Sequence, residues 1–448
     1  MKGTRRWIRR WRPLLPILVA EFIILLGFGA LLPVLPMYVV EHGIDVPTLG
    51  LIAASWSIAK LIAEPVFGYL ADRTSRKPFL VGGAVVLGIA TMLPLVFTTA
   101  AALFLLRFIS GAAAGAYDPA ARGMIVDATE EGERGEAFGI YAAFQMGGFV
   151  LGPVIGAFGA AAGGGFAFPF LFTGVLTIVA GGVLAFTLPG TPHVVEVPSP
   201  IPATPRPAHR ISPSEPPFSA STAGIPAADE QDRDARAPLK ELLNVSLGVA
   251  LIMNFGFSLA FGVYEVIWSL FMADLGASIA WIGLTFALFG LPMMLVSPFA
   301  GRLVDRYGPI RFAAAGGLVI CIAGVVYGIS TEPALPSAMV PVEGIAEAFL
   351  MPALYALVAF GSPSGRSSTA QGIFGAVGTI GLIVATLSAG WLWDLGRAWP
   401  FAFFVVGSTV CLILGLALYR FGGGARAVQQ VGQATDPPST SQQAAGQA

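Results

Sequence analysis

The chain has 448 residues, of which 55% are apolar and only 11% charged, with a mean hydropathy of +0.77. Soluble domains carry about 25% charged residues, so this composition excludes an ordinary soluble protein and makes the bilayer the solvent to reason about. The formal net charge of -1 says little, because what matters is where the charges sit.

A helix needs about 20 apolar residues to cross the hydrocarbon. Twelve such runs are predicted. Spans 1 to 6 cover 14–39, 49–71, 79–98, 101–125, 136–159 and 166–188. Spans 7 to 12 cover 243–272, 281–303, 312–330, 337–360, 369–392 and 399–420. The leading MKGTRRWIRRWRP is basic and then apolar, as in a signal peptide. The apolar run is too long for one and lacks a small-residue cleavage site, so it reads as a retained first span. Between spans 6 and 7, residues 190–240 are rich in proline and serine without periodicity, a composition that cannot bury enough surface to fold. The expected organisation is a six-helix bundle over 1–189, a disordered cytoplasmic linker over 190–240, a second bundle over 241–421 and a disordered tail over 422–448.

Basic residues orient the spans. Of 25 Lys and Arg, only Arg397 falls in a loop on the far side, and Lys60 and Arg107 lie within spans. Both termini are therefore expected in the cytoplasm, with the chain in the plasma (inner) membrane. Cys321 and Cys411 lie in apolar runs and form neither a disulfide framework nor a metal spacing. The three histidines fall outside the spans, and no hydrolase, zinc or phosphate-loop motif is present. No enzyme activity, metal, cofactor or nucleic-acid partner is expected.

The halves align at a constant offset of 233 residues. Gly68, Leu70, Asp72 and Arg73 match Gly301, Leu303, Asp305 and Arg306. Pro65, Pro119, Gly148 and Gly29 match Pro298, Pro352, Gly381 and Gly262. Parallel repeats of this kind mark a transporter whose two bundles rock about a site near the midplane.

GYLADRTSRK at 68–77 resembles the signature loop between spans 2 and 3 of the major facilitator superfamily, and GRLVDRYG at 301–308 resembles its degenerate second copy. LFLLRFISGAAAG at 103–115, with Arg107, is similar to the family's span 4 motif. GFVLGPVIGA at 148–157 is similar to the span 5 motif of its antiporters, with Ala157 in place of the last glycine. LGFGALLPVLP at 26–36 resembles span 1 of the twelve-helix drug:proton antiporters. The resemblance implies an all-α polytopic fold of two pseudo-symmetric six-helix bundles, a monomer, with spans 1, 4, 7 and 10 lining the cavity. It further implies a cytoplasmic gate in which Asp72 caps span 11 and Arg73 and Arg76 pair with Asp127, with Asp305 and Arg306 as the second copy. From the residues themselves, Gly68 would let two helices approach closely. Gly148, Gly152 and Gly156 form one stripe, and Pro153 bends its helix. That stripe reads either as an antiporter hinge or as plain small-residue packing.

Ionisable residues inside a span are costly and default to functional candidates. Lys60 with Glu64 and Asp118 with Arg122 stand four apart and can pair along their own helices. Asp118 is also a cavity candidate. Glu21 is either a cavity carboxylate or a partner for an arginine. Glu265 has no base within four positions and stands beside Tyr264 and near Trp268. A carboxylate without a counter-charge in a low dielectric can take up a proton and yield it when the cavity changes sides. Glu343 and Glu347 share a face of span 10, either as a proton site or as partners of Arg107. The aromatic residues Tyr117, Tyr141, Phe144, Tyr264, Trp268 and Tyr355 could stack on a flat or cationic ligand. The expected function is proton-coupled antiport, exporting small organic and cationic molecules. A symporter or uniporter importing a metabolite, or a membrane sensor, stays open.

Overall fold

The computed structural model describes residues 14–129, 134–188, 244–362 and 367–422. The expected linker, and the tail apart from Gly422, lie outside the described residues. The described residues form helices and turns with no strand among them, and eleven of the helices are long and apolar enough to cross a membrane. A twelfth crossing is a bent pair, Leu15–Leu31 and Leu35–Glu41, which meet at 42°. Span 1 was expected to be continuous. Pro33 has no amide to donate and its ring clashes with the preceding turn, so the helix breaks there.

Spans 2 to 6 are Val46–Arg73, Arg76–Met92, Ala100–Asp127, Arg134–Gly159 and Ala167–Thr187. Spans 7 to 12 are Val245–Asp274, Ile279–Tyr307, Pro309–Ile329, Ala334–Phe360, Ser367–Leu395 and Trp399–Phe421. Spans 2, 4, 7 and 8 start at side-chain caps, which satisfy amides that the helix itself leaves bare. Asp45 accepts from the Thr48 amide at 2.8 Å and Ser278 from the Trp281 amide at 3.2 Å. These two caps are 233 residues apart, so the repeat extends to the punctuation of the helices.

The packing repeats as well. A Cβ on Gly111 of span 4 would land on the Trp56 carbonyl of span 2, and one on Gly344 of span 10 would land on the Phe289 carbonyl of span 8. Both residues of each contact are related by the same offset. Likewise a Cβ on Gly29 would stand 2.9 Å from the Phe149 carbonyl oxygen, and one on Gly262 would stand 2.7 Å from that of Leu382. With no hydrophobic force between helices in lipid, such backbone approaches supply the van der Waals contact that holds them.

The halves meet where span 2 crosses span 11 and span 5 crosses span 8. A Cβ on Gly50 would stand 2.5 Å from the Thr386 carbonyl oxygen, and one on Gly283 would stand 2.8 Å from that of Pro153. These two crossings are again the same positions in the two repeats. Both lie toward the face opposite the one that carries Arg73, Arg76, Lys77, Arg302 and Arg306, called here the basic face.

Candidate functional site

Successive residues on a helix point about 100° apart, so Tyr264 and Trp268 share one face of span 7 while Glu265 faces another. Tyr264 and Trp268 turn toward spans 8, 9 and 10. The Tyr264 hydroxyl donates to Glu343 at 2.8 Å, and the Trp268 indole donates to the Thr285 hydroxyl at 2.8 Å. Glu265 turns across the interface between the halves, where Arg107 of span 4 donates to it at 3.5 Å. The two side chains are only 14% and 8% exposed. Glu265 was expected to stand without a counter-charge, and this is corrected: its partner lies 158 residues away and in the other half. The alternative pairing of Arg107 with Glu343 or Glu347 is not the one formed.

Glu343 is held on both oxygens, by Tyr264 and by the Tyr327 hydroxyl at 2.7 Å. Glu347, one turn on, is buried, and no hydrogen bond or ion pair reaches its carboxyl among the described residues. Tyr327 was not singled out from the sequence. It stands on span 9, outside the four spans that the resemblance has lining the cavity, and its ring packs 5.0 Å from that of Trp268. A cavity of about 60 Å3 lies among these groups, walled by Phe149, Phe261, Tyr264, Trp268, Phe286 and Phe289 and carrying Glu265 and Glu343. Spans 5 and 8 thus line it together with spans 1, 7 and 10.

In the N-terminal half the expected Lys60–Glu64 pair forms, but the shorter contacts run between helices. Lys60 meets Asp118 at 2.6 Å, and Arg122 meets Glu64 at 3.0 Å, against 3.8 Å for Lys60 to Glu64. Arg122 reaches only the backbone oxygen of Asp118. The shorter contacts follow from the close crossing of spans 2 and 4 at Gly111 and Gly115, which brings four charges onto one seam. Glu21 is 1% exposed and accepts from the Gln145 side chain at 2.5 Å.

At the basic face, Arg76 bridges Asp72 at 3.1 Å and Asp127 at 2.8 Å. Arg73 lies over the Tyr69 ring at 4.3 Å, and Arg306 over the Tyr307 ring at 5.3 Å. Asp72 is 70% exposed, Asp305 is exposed, and the Asp72 contact is within its own half. Gly68 is not where spans 2 and 4 need a glycine. A Cβ there would meet Pro119 at 3.4 Å, ordinary contact, whereas Gly111 and Gly115 have no room for one. In span 5, a Cβ on Gly148, Gly152 or Gly156 would land on the carbonyls of Phe22, Leu26 or Ala30, so the stripe is the seat of span 1. Pro153 and the buried Ala157 on the same span touch Gly283 across the halves. Among the described residues no group of His, Cys, Asp and Glu could hold a metal ion.

A family model described as Major Facilitator Superfamily matches residues 17–261 and 250–445. The chain belongs to the major facilitator superfamily. Its family and fold are those of multi-pass membrane transporters, not of enzymes. It is 34% identical over 167 residues to the quinolone resistance protein NorA of Staphylococcus aureus, a match covering 37% of this chain and 41% of that one. The chain thus spans about two fifths of the length of these relatives. It is 23% identical over 403 residues to multidrug resistance protein 2 of Bacillus subtilis, covering 89% of this chain and 92% of that one. Among solved structures it superposes on the nucleoside transporter NupG with a TM-score of 0.67 at 14% identity, covering 91% and 99% of the two chains. It also superposes on a bacterial homolog of the human lysosomal transporter Spinster, inward-facing and unoccupied, with a TM-score of 0.68 at 16% identity, covering 94% and 98%. At these identities the structural matches show the shared fold.

Proposed function

We propose that this superfamily member is a proton-coupled antiporter that exports small, flat, cationic organic molecules from the cytoplasm across the plasma membrane, working as a monomer. The observation that carries the reading is the Arg107–Glu265 ion pair, which joins the two halves at the edge of an aromatic cavity. A carboxylate and a guanidinium so enclosed attract strongly, and a proton on Glu265 cancels that attraction. Residues 1–189 and 241–421 would then rock as two bodies. The quinolone and multidrug resistance relatives support an efflux role.

In the cycle we infer, the aromatic rings hold the body of the substrate, and the acids of spans 7 and 10 face its positive charge. A proton arriving from outside neutralises Glu265 or the Glu343–Glu347 pair, and the cation leaves. After the halves rock back, the proton departs to the cytoplasm and Arg107 recovers Glu265. Exchanging one proton for one monovalent cation moves no net charge, so the pH difference drives export, and each pH unit is worth about 1.4 kcal/mol, a tenfold gradient.

The test uses inside-out vesicles with an acidic lumen and a quenched pH dye. Lipophilic cations and quinolones should collapse the gradient only when the protein is present and Glu265 is intact. Equal collapse by the Glu265→Gln variant, and by a Glu343→Gln variant, would remove the coupling role given to these acids.

A further inference from the structure

A second cavity, of about 150 Å3, lies inside the N-terminal half and is distinct from the aromatic one. Arg107 marks one end of it and Asp118 the other, both on span 4. Eleven residues separate them, about 16 Å of helix. Glu21, Lys60 and Gln145 also line it. Beyond Asp118, one further turn brings the Glu64–Arg122 pair, whose arginine side chain is 50% exposed at the basic face. At the other end, a small cavity lined by both Arg107 and Glu265 lies between it and the central site, sharing Arg107 with the one and Glu265 with the other.

The charges here pair off with one exception. Lys60 is taken by Asp118, Arg122 by Glu64 and Arg107 by Glu265. Among the described residues Glu21 has no cation at ion-pair distance, and its buried Oε2 atom has no hydrogen-bond partner, although the side chain lines a cavity. The groups facing it are Gln145 and Tyr141 from span 5, Tyr117 and Asp118 from span 4, and Lys60 from span 2. Span 6 contributes the hydroxyls of Thr173 and Thr177 to the same cavity, and these do not titrate.

At about 150 Å3 the space is large enough for several waters, and Glu21, Lys60, Asp118 and Gln145 give them polar partners on a wall that is otherwise largely apolar. We propose that this cavity is a proton route through the N-terminal half, with Glu21 as its relay between Glu265 and the basic face. The route rests on the proton-coupled reading above. The proton leaves the Glu265 carboxyl as the ion pair with Arg107 re-forms. It travels on cavity water, because arginine does not give up its own proton. The Glu21 carboxylate takes it and becomes a carboxylic acid. Glu21 then gives it to water beside Asp118 and Glu64 and returns to the carboxylate. One proton is moved and nothing is oxidised or reduced. Substrate and proton thus use separate paths from the same ion pair.

The experiment uses the full chain in proteoliposomes, with ethidium as the probe and a pH dye in the lumen. Glu21→Gln is expected to slow ethidium-driven proton movement at least tenfold. Its ethidium Kd should stay within twofold, and ethidium–ethidium counterflow should persist, since exchange needs no net proton. Glu21→Asp should recover part of the proton movement, which a merely structural role for the carboxyl would not predict. Wild-type coupling in Glu21→Gln, while Glu265→Gln is uncoupled, would overturn the route and leave the antiport reading standing. A Kd weakened as much as the flux would instead make Glu21 a contact for the cation and also overturn it. If the unmodified protein exchanges ethidium without moving protons, the route and the antiport reading fall together.

Discussion

Replacing Arg107 with methionine isolates what the ion pair between the halves contributes. At 3.5 Å the two charges attract by about 5 kcal/mol at an effective dielectric of 20. Both side chains are largely withdrawn from solvent, so neither can recover full hydration when its partner is removed. Loss of one member of a buried pair costs about 3–5 kcal/mol, because the remaining charge stays buried, whereas replacing both with apolar or neutral groups is close to neutral. Arg107→Met and Glu265→Gln should each be destabilised by that amount. For units of 150–250 residues, the size of each half, this corresponds to roughly 6–20 °C in the unfolding midpoint. The double variant should recover most of the loss. The assay is thermal unfolding in detergent followed by tryptophan fluorescence, completed as a double-mutant cycle. A double variant that falls as far as the sum of the two singles would refute the reasoning, since it would mean that the pair is not energetically coupled.

Tyr327→Phe removes one of the two hydroxyls that hold Glu343 and should cost about 1.5–3 kcal/mol, the range for hydrogen bonds to a charged group, read as a lower unfolding midpoint. Gly156→Leu drives a side chain into the Ala30 carbonyl and should destabilise by more than 1–3 kcal/mol, while Gly301→Ala meets open space and should be neutral or better. Monodispersity on a sizing column will separate the two. Asp45→Ala removes the cap of span 2 and should cost about 1 kcal/mol. Hydrogen bonds from Thr48 hold the Asp45 carboxyl below the usual carboxylate range. Its contribution is therefore complete above the unfolded value and is lost as pH falls through the folded one, so the variant and the wild type should converge in stability under acid.

The spans were legible because hydropathy in a bilayer is a one-dimensional signal: twenty apolar residues suffice, whatever they touch. The break at Pro33 was legible too, in LLPVLP, but the apolar run continues through it and hydropathy does not register a lost hydrogen bond. Pairing was the part that sequence spacing misjudged. Lys60 and Glu64 stand four apart, yet Lys60 sits closer to Asp118, because glycines at 111 and 115 let span 4 come nearer than the next turn of the same helix. The partner of Glu265 could not be read from its neighbourhood, being 158 residues distant. Gln145 and Tyr327 were overlooked for different reasons. Attention to charge passed over a neutral amide in span 5, and the resemblance pointed to spans 1, 4, 7 and 10 rather than to span 9.

Away from the basic residues, the two crossings between the halves each bring the bare backbone of a glycine against the backbone of another helix, with the Ala157 methyl beside it at Gly283. Gly50 and Gly283 present bare backbone, and what they meet are the carbonyls of Thr386 and Pro153. Side chains change rotamer on picosecond-to-nanosecond timescales when exposed, so a barrier built from them flickers. Carbonyls locked into a helix do not swing aside; the whole rod must shift before a gap appears. Such a closure behaves as a valve with two settings. A Cβ added at Gly50 or Gly283 would therefore have to push the helices apart, because no rotamer change can make room for it.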